Sequence, residues 1–156
     1  MLIVGGVLAL GLLMNWDGIQ GSPAPPFSLR ETYGHVTLDS YRGRPVLLVF
    51  WTTSCGICRH ELPLLSRIAP EFHRKGVEIL AINVGGADEA NDYLRSNNIG
   101  LRSAIDENGA TGQAYHVRGV PKLVLVGGDG VIHRSHSGGM DAEDLLEWAD
   151  AAARLR

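Results

Sequence analysis

Cysteine is nearly absent from this chain: two occur in 156 residues, too few for a disulfide-stapled scaffold. Basic runs are absent as well. The formal net charge is -3, and the 14 Lys and Arg, twelve of them Arg, are scattered along the sequence. That distribution gives no nucleic-acid surface and reads as a composition bias rather than phosphate binding. No uncharged apolar run reaches the roughly 20 residues that a spanning helix needs. No internal repeat is present. The 45% hydrophobic and 20% charged residues indicate a globular chain, and its length suits one domain with a sizeable core.

The longest apolar run is LIVGGVLALGLLM, Leu2 to Met14, with no charged or polar side chain. Its length suits a signal-peptide core or a short membrane anchor. No Lys or Arg precedes it and no A-x-A cleavage site follows it. The missing cleavage site favours retention, and Trp16 stands where an interfacial anchor would. A buried strand or helix of the domain is the alternative. The expected layout is a hydrophobic signal or anchor segment over 1–14, a linker over 15–24 within a polar, Pro-rich stretch, and a folded domain over 25–156.

Within that domain, Phe27 to Leu38 alternates loosely around Tyr33-Gly34-His35, a hairpin pattern. PVLLVFW, Pro45 to Trp51, is a short continuous apolar run of the kind found in central parallel strands. Cys55 to Phe72 carries helical spacing, with Ile57, Leu62, Leu65, Ile68 and Phe72 on one broad face and Pro63 as a kink. A second strand is expected at Val77 to Val84, a helix at Asp88 to Asn97 and a short helix at Asn108 to Tyr115. Strands then follow at Lys122 to Val126 and Val131 to Ser135, and Asp141 caps a last helix. This order predicts an α/β fold with a mixed sheet.

Both cysteines lie in FWTTSCGICRHELP, two residues apart. Haem attachment needs C-x-x-C-H, and Arg59 follows Cys58. Structural zinc needs four ligands, and only the adjacent His60 and the distant His133 and His136 offer themselves. A purely structural bridge over two residues would restrain little of the unfolded chain. Redox chemistry remains. The apolar strand ends at Trp51, so Cys55 falls at a helix start, where unpaired N–H groups and the helix dipole favour thiolate. Cys58 lies one turn deeper on the same face, which makes Cys55 the exposed nucleophile and Cys58 the sheltered resolving thiol. Glu61, three residues on, is either a partly buried carboxylate that accepts the Cys58 proton, its pKa raised by desolvation, or an exposed helix residue. Pro121, in RGVPKLVLV, directly precedes a strand. A cis bond there would leave the Val120 backbone free to pair with a substrate peptide, although trans is the default.

From about Ala24 to Arg156 the chain resembles the thioredoxin superfamily, and within it the TlpA/ResA-like thiol-disulfide oxidoreductases. The stretches PAPPFSL, GRPVLLVFW, CGICRHELP and AYHVRGVPKLVLVGGDGVI, in that order, carry the resemblance. It implies a thioredoxin-like three-layer α/β/α fold with a central mixed sheet and an N-terminal hairpin extension. It also implies Cys55 and Cys58 as the redox pair, Glu61 as acid/base and a cis Pro121 beside them. Substrate contacts are expected from Trp51, Ser54, Gly56, Ile57, Val120 and Pro121. No cofactor beyond the Cys55–Cys58 disulfide and no metal is expected. A periplasmic or otherwise extracytoplasmic domain, tethered by Leu2 to Met14 and monomeric, would reduce disulfide-containing client proteins, apocytochrome c among them. It would draw electrons from a membrane donor of the DsbD or CcdA type.

The sequence also departs from that family. Val49 stands where thioredoxins keep a buried Asp, leaving Glu61 as the nearby candidate base. Ser54 replaces an aromatic, and Lys122 replaces the usual Thr after the proline, placing a cation either near Cys55 or towards solvent. Two rival functions share the features in part. A peroxiredoxin loop, P-x-x-x-T-x-x-C, has Thr52 but Leu48 in place of Pro. A Sco-type copper site wants C-x-x-x-C with a distal histidine such as His133 or His136. Neither accounts for Glu61 and Pro121 together. Gly56-Ile57 does not reveal the direction of electron flow, although Val120 and Glu61 lean towards a reductant.

Overall fold

The computed structural model describes residues 18–155. The expected anchor at 1–14 lies outside them. Among the described residues no helix is long and apolar enough to cross a membrane.

Among the described residues, seven strands form one sheet. In chain order they are β1 (Ser28–Arg30), β2 (His35–Thr37), β3 (Val46–Trp51), β4 (Glu78–Asn83), β5 (Arg102–Ile105), β6 (Lys122–Val126) and β7 (Ile132–Ser137). Their spatial order is β2-β1-β5-β4-β3-β6-β7. The helices are α1 (Gly56–Arg74), α2 (Ala87–Ser96), α3 (Ala110–Ala114) and α4 (Ala142–Ala153). β3 pairs parallel with β4 and antiparallel with β6, so the sheet is mixed.

Every residue of β3, VLLVFW, is buried. A strand apolar at every position must be covered on both faces. Leu47, Val49 and Trp51 pack against α1, α2 and α4 through Leu62, Leu94 and Leu145. The alternate residues Val46, Leu48 and Phe50 meet a second cluster that includes Tyr115, Phe27 and Val36. Fully burying one such aliphatic side chain contributes about 1.5–3 kcal/mol. The chain is thus a three-layer sandwich with β3 at its centre.

The expected elements occur within a few residues of their places, and Asp141 caps α4 by accepting the Asp144 N–H at 2.9 Å. The structure corrects two expectations and adds a strand. Ile57 is 55% exposed, because the buried stripe of α1 runs through Cys58, Glu61, Leu62, Leu65 and Phe72 and leaves Ile57 at its margin. β5, RSAI, carries only one β-branched residue and opens with two polar ones, so it gives no strand signal; its place in the sheet comes from pairing with β4 and β1. The described part of the expected linker is folded. Ile19 and Ala24 are buried, Gly21 donates to Ile132 O at 2.7 Å, and Ile132 donates back to Ser22 O at 3.0 Å.

The short α3 is organised by a buried acid. Asp106 is 2% exposed; one of its carboxyl oxygens accepts the Thr111 N–H at 3.2 Å and the other the Gly112 N–H at 2.8 Å. Asp106→Ala would leave both donors buried without an acceptor, at a cost of about 2–3 kcal/mol. Urea unfolding of the variant should show that loss in its midpoint with an unchanged slope.

Candidate functional site

β3 delivers the chain to the N-terminus of α1 through Thr52, Thr53 and Ser54. Arg59 braces this turn, donating from Nε to Thr53 O at 2.8 Å while its guanidinium lies 5.6 Å above the Tyr93 ring. Cys55 is the N-cap of α1, in extended conformation, and its Sγ accepts the Cys58 N–H at 3.1 Å. The two cysteines form a disulfide with a Cα–Cα distance of 5.2 Å, inside the range such bridges occupy. Cys55 is half-buried, whereas Cys58 is 0% exposed. An incoming sulfur can therefore reach Cys55 only. Ser54, Gly56 and Ile57 form an exposed rim beside it.

The Val120–Pro121 peptide bond is cis. Val120 O lies 3.5 Å from Cys55 Sγ. Pro121 is buried, and its carbonyl accepts the Gly138 N–H at 2.9 Å. The loop before β6 thus meets the start of α1 directly.

Glu61 is 2% exposed on the buried side of α1. Its carboxyl oxygens both accept the Met140 N–H, each at 3.1 Å. Burial pushes its pKa above the ordinary glutamate value; the Met140 N–H, then the positive fields of His136 and His60, pull the other way without cancelling it. Val49, packed in the same cluster as Cys58, adds no titratable group. Gly139 packs closely here: a Cβ at this position would come 2.9 Å from Glu61 Oε2 and 3.0 Å from Ile57 Cγ2, so one of those side chains would have to shift. Gly139 and Met140 escaped sequence reasoning, and the only available signal was the paired glycines before the Asp141 cap.

Other expected site residues are placed differently. Trp51 is fully buried behind α1, its ring 5.8 Å from Tyr93, and presents no surface to a client. Lys122 points neither to Cys55 nor to solvent: it is 1% exposed on the opposite face of the sheet, and Nζ donates to Tyr115 O and His116 O. His133 is held by Asp129 at 3.0 Å, and His136 Nε2 lies 3.3 Å from Gly139 O. Among the described residues no three His, Cys, Asp or Glu side chains are grouped to hold a metal.

With this geometry in view, residues 20–135 match the model of the AhpC/TSA family. The chain belongs to the AhpC/TSA family. It is 34% identical over 127 residues to the thiol-disulfide oxidoreductase ResA of Geobacillus kaustophilus (strain HTA426), covering 80% of this chain and 73% of that one. Over 134 residues it is 35% identical to ResA of Geobacillus thermodenitrificans (strain NG80-2), covering 84% and 76%. The fold matches the crystal structure of StoA from Bacillus subtilis with a TM-score of 0.70 over 80% of this chain and 96% of that one, at 24% identity. The protein is thus a ResA-like member of the thioredoxin superfamily, of the thiol-disulfide oxidoreductase type.

A glutamate whose pKa is raised in the folded state favours folding below its unfolded value and loses that contribution as pH rises through the raised one. Glu61→Gln removes this titration. Relative to wild type, the variant should therefore gain stability as pH increases upward from about 4.3, the ordinary glutamate value, and level off once Glu61 is ionised. Urea midpoints of both proteins between pH 4 and pH 8 check this, and parallel curves would contradict a raised pKa.

Proposed function

We propose that the protein reduces disulfides of envelope client proteins through the Cys55–Cys58 dithiol. One observation carries the reading: the reachable sulfur of Cys55 caps α1 beside the Val120 backbone, while Cys58 is sealed beneath it on the face that holds Glu61.

The Cys55 thiolate, favoured by the N–H groups at the helix start, attacks one sulfur of the client disulfide. The other client sulfur leaves as a thiolate and takes up a proton. An extended client segment pairs with the free backbone at Val120 during this step. Cys58 then passes its proton to Glu61, whose raised pKa suits it to accept one, and attacks Cys55 Sγ. The bond between Cys55 Sγ and the client breaks, and the second client sulfur leaves as a thiolate and takes up a proton. The client departs as a dithiol while the protein keeps the disulfide, two electrons having passed to the client. A membrane donor of the DsbD or CcdA type returns the pair to the dithiol. Clients include the haem-site cysteines of apocytochrome c, and residues 1–14 tether the domain on the oxidising side of the membrane.

Cys58→Ser should accumulate a mixed disulfide between Cys55 and a client peptide, visible by mass spectrometry under non-reducing conditions. Cys55→Ser should form none and lose reductase activity. Trapping by Cys55→Ser alone would reverse the two roles. Cell fractionation should recover the full chain with membranes, its domain accessible to an impermeant thiol reagent; recovery in the cytosol would remove the envelope role.

A further inference from the structure

β6 reads KLVLV, and all five residues are buried. Four are apolar, as a central strand requires, and the first is a lysine. A lysine at 1% exposure is costly to bury and persists where its donors are used. Two of its contacts converge on one place. Nζ donates to Tyr115 O at 2.8 Å and to His116 O at 3.1 Å, carbonyls that the end of α3 leaves without helical partners.

Those carbonyls open the loop from His116 to Pro121. His116 has φ 54°, the left-handed turn that takes the chain off the helix. The helix end is tied down: Val117 donates to Gly112 O at 2.8 Å, and Tyr115 Oη donates to Pro25 O at 2.7 Å. At the other end Pro121 O accepts from Gly138. Between them stand Arg118 and Gly119, both exposed, and then Val120, whose carbonyl reaches Cys55. Lys122 follows directly and sends its side chain back to the loop's first carbonyls. The loop is thereby closed by the residue that ends it.

We infer that Lys122 is a positioning residue: by clamping the Tyr115 and His116 carbonyls it holds the 116–121 loop so that the Val120 backbone stands ready beside Cys55 for a client segment. This rests on the function proposed above. An apolar side chain of the same length would fill the slot and leave the Tyr115 and His116 carbonyls without this clamp, the ties of Val117 and Tyr115 remaining. Asp106 fixes the other end of α3, so two buried charged-type side chains bracket the helix that launches this loop. Client capture, rather than the electron-transfer steps at sulfur, is what the clamp serves.

The test is single-turnover reduction of a peptide carrying one C-x-x-C disulfide by the pre-reduced full chain, as a function of peptide concentration. Lys122→Met should raise the half-saturating concentration by about fivefold or more while leaving the maximal rate within about twofold, the pattern of lost binding rather than lost chemistry. A merely structural role would lower the thermal midpoint and leave both constants of the folded variant alone. Unchanged half-saturation, or a fall in maximal rate only, overturns the inference. If Lys122→Met does not fold, Lys122→Gln, which keeps one shorter donor, should give an intermediate half-saturation, and a wild-type value overturns the inference. A wild-type protein that fails to reduce the peptide would defeat the proposed function instead. The clamp is then decided by the crystal structure of the variant: a Cys55 Sγ to Val120 O distance beyond roughly 4.5 Å, outside contact range, supports it, and an unchanged distance overturns it.

Discussion

The hydrogen bond from the Cys58 N–H to Cys55 Sγ joins the two levels of this molecule. It makes one sulfur the cap of the helix that carries the other, so the geometry of the pair is the geometry of the helix start. That start is held where β3, buried on both faces, shares one core cluster with α1. The reach of one thiol and the seclusion of its partner follow from the pitch of a helix whose next turn points into the core. The same pitch brings Glu61 to the buried side.

Around this junction, groups from distant parts of the sequence arrive as backbone rather than as side chains. Val120 brings its carbonyl to 3.5 Å from Cys55 Sγ, and Met140 offers its N–H to Glu61. Backbone groups carry no side-chain identity, so what meets Cys55 and Glu61 depends on how two loops are held. One loop is closed by Lys122 and the other is kept thin by Gly139, where a single added carbon would strike the carboxylate.

Much of the fold was legible in the sequence because β3, β4 and β6 are short apolar runs and α1 carries a helical period, and their order admits few topologies. β5 was not legible: RSAI holds its place through neighbours on both sides, and that information is not local. The CGIC pair was readable because strand, cysteine and helix start follow one another directly. Spacing left Glu61 undecided between surface and core, and burial settled that as 2% exposure. Trp51 was misplaced for a related reason. Alternation along β3 tells which face a residue takes, but not that α1 and Tyr93 close over its ring. Lys122 was misread because a cation beside a reactive cysteine is an obvious pairing, whereas strand parity sends it to the face of Phe50 and Tyr115.

The docking of residues 18–24 on β7 also sets the molecule's polarity. Their hydrogen bonds and the bridge from Pro23 to Val131 gather at the start of β7, level with Val126 and Val46. The disulfide lies past the other end of β3, a strand whose six residues span about 17–20 Å. The polypeptide therefore enters at one pole of the domain and works at the other. A support gripping the entry pole would leave the reactive pole turned outward, and the domain would project its sulfur pair to the far side of its own thickness. Such a layout also covers part of the outer edge of β7, denying a second sheet the open backbone on which it could add.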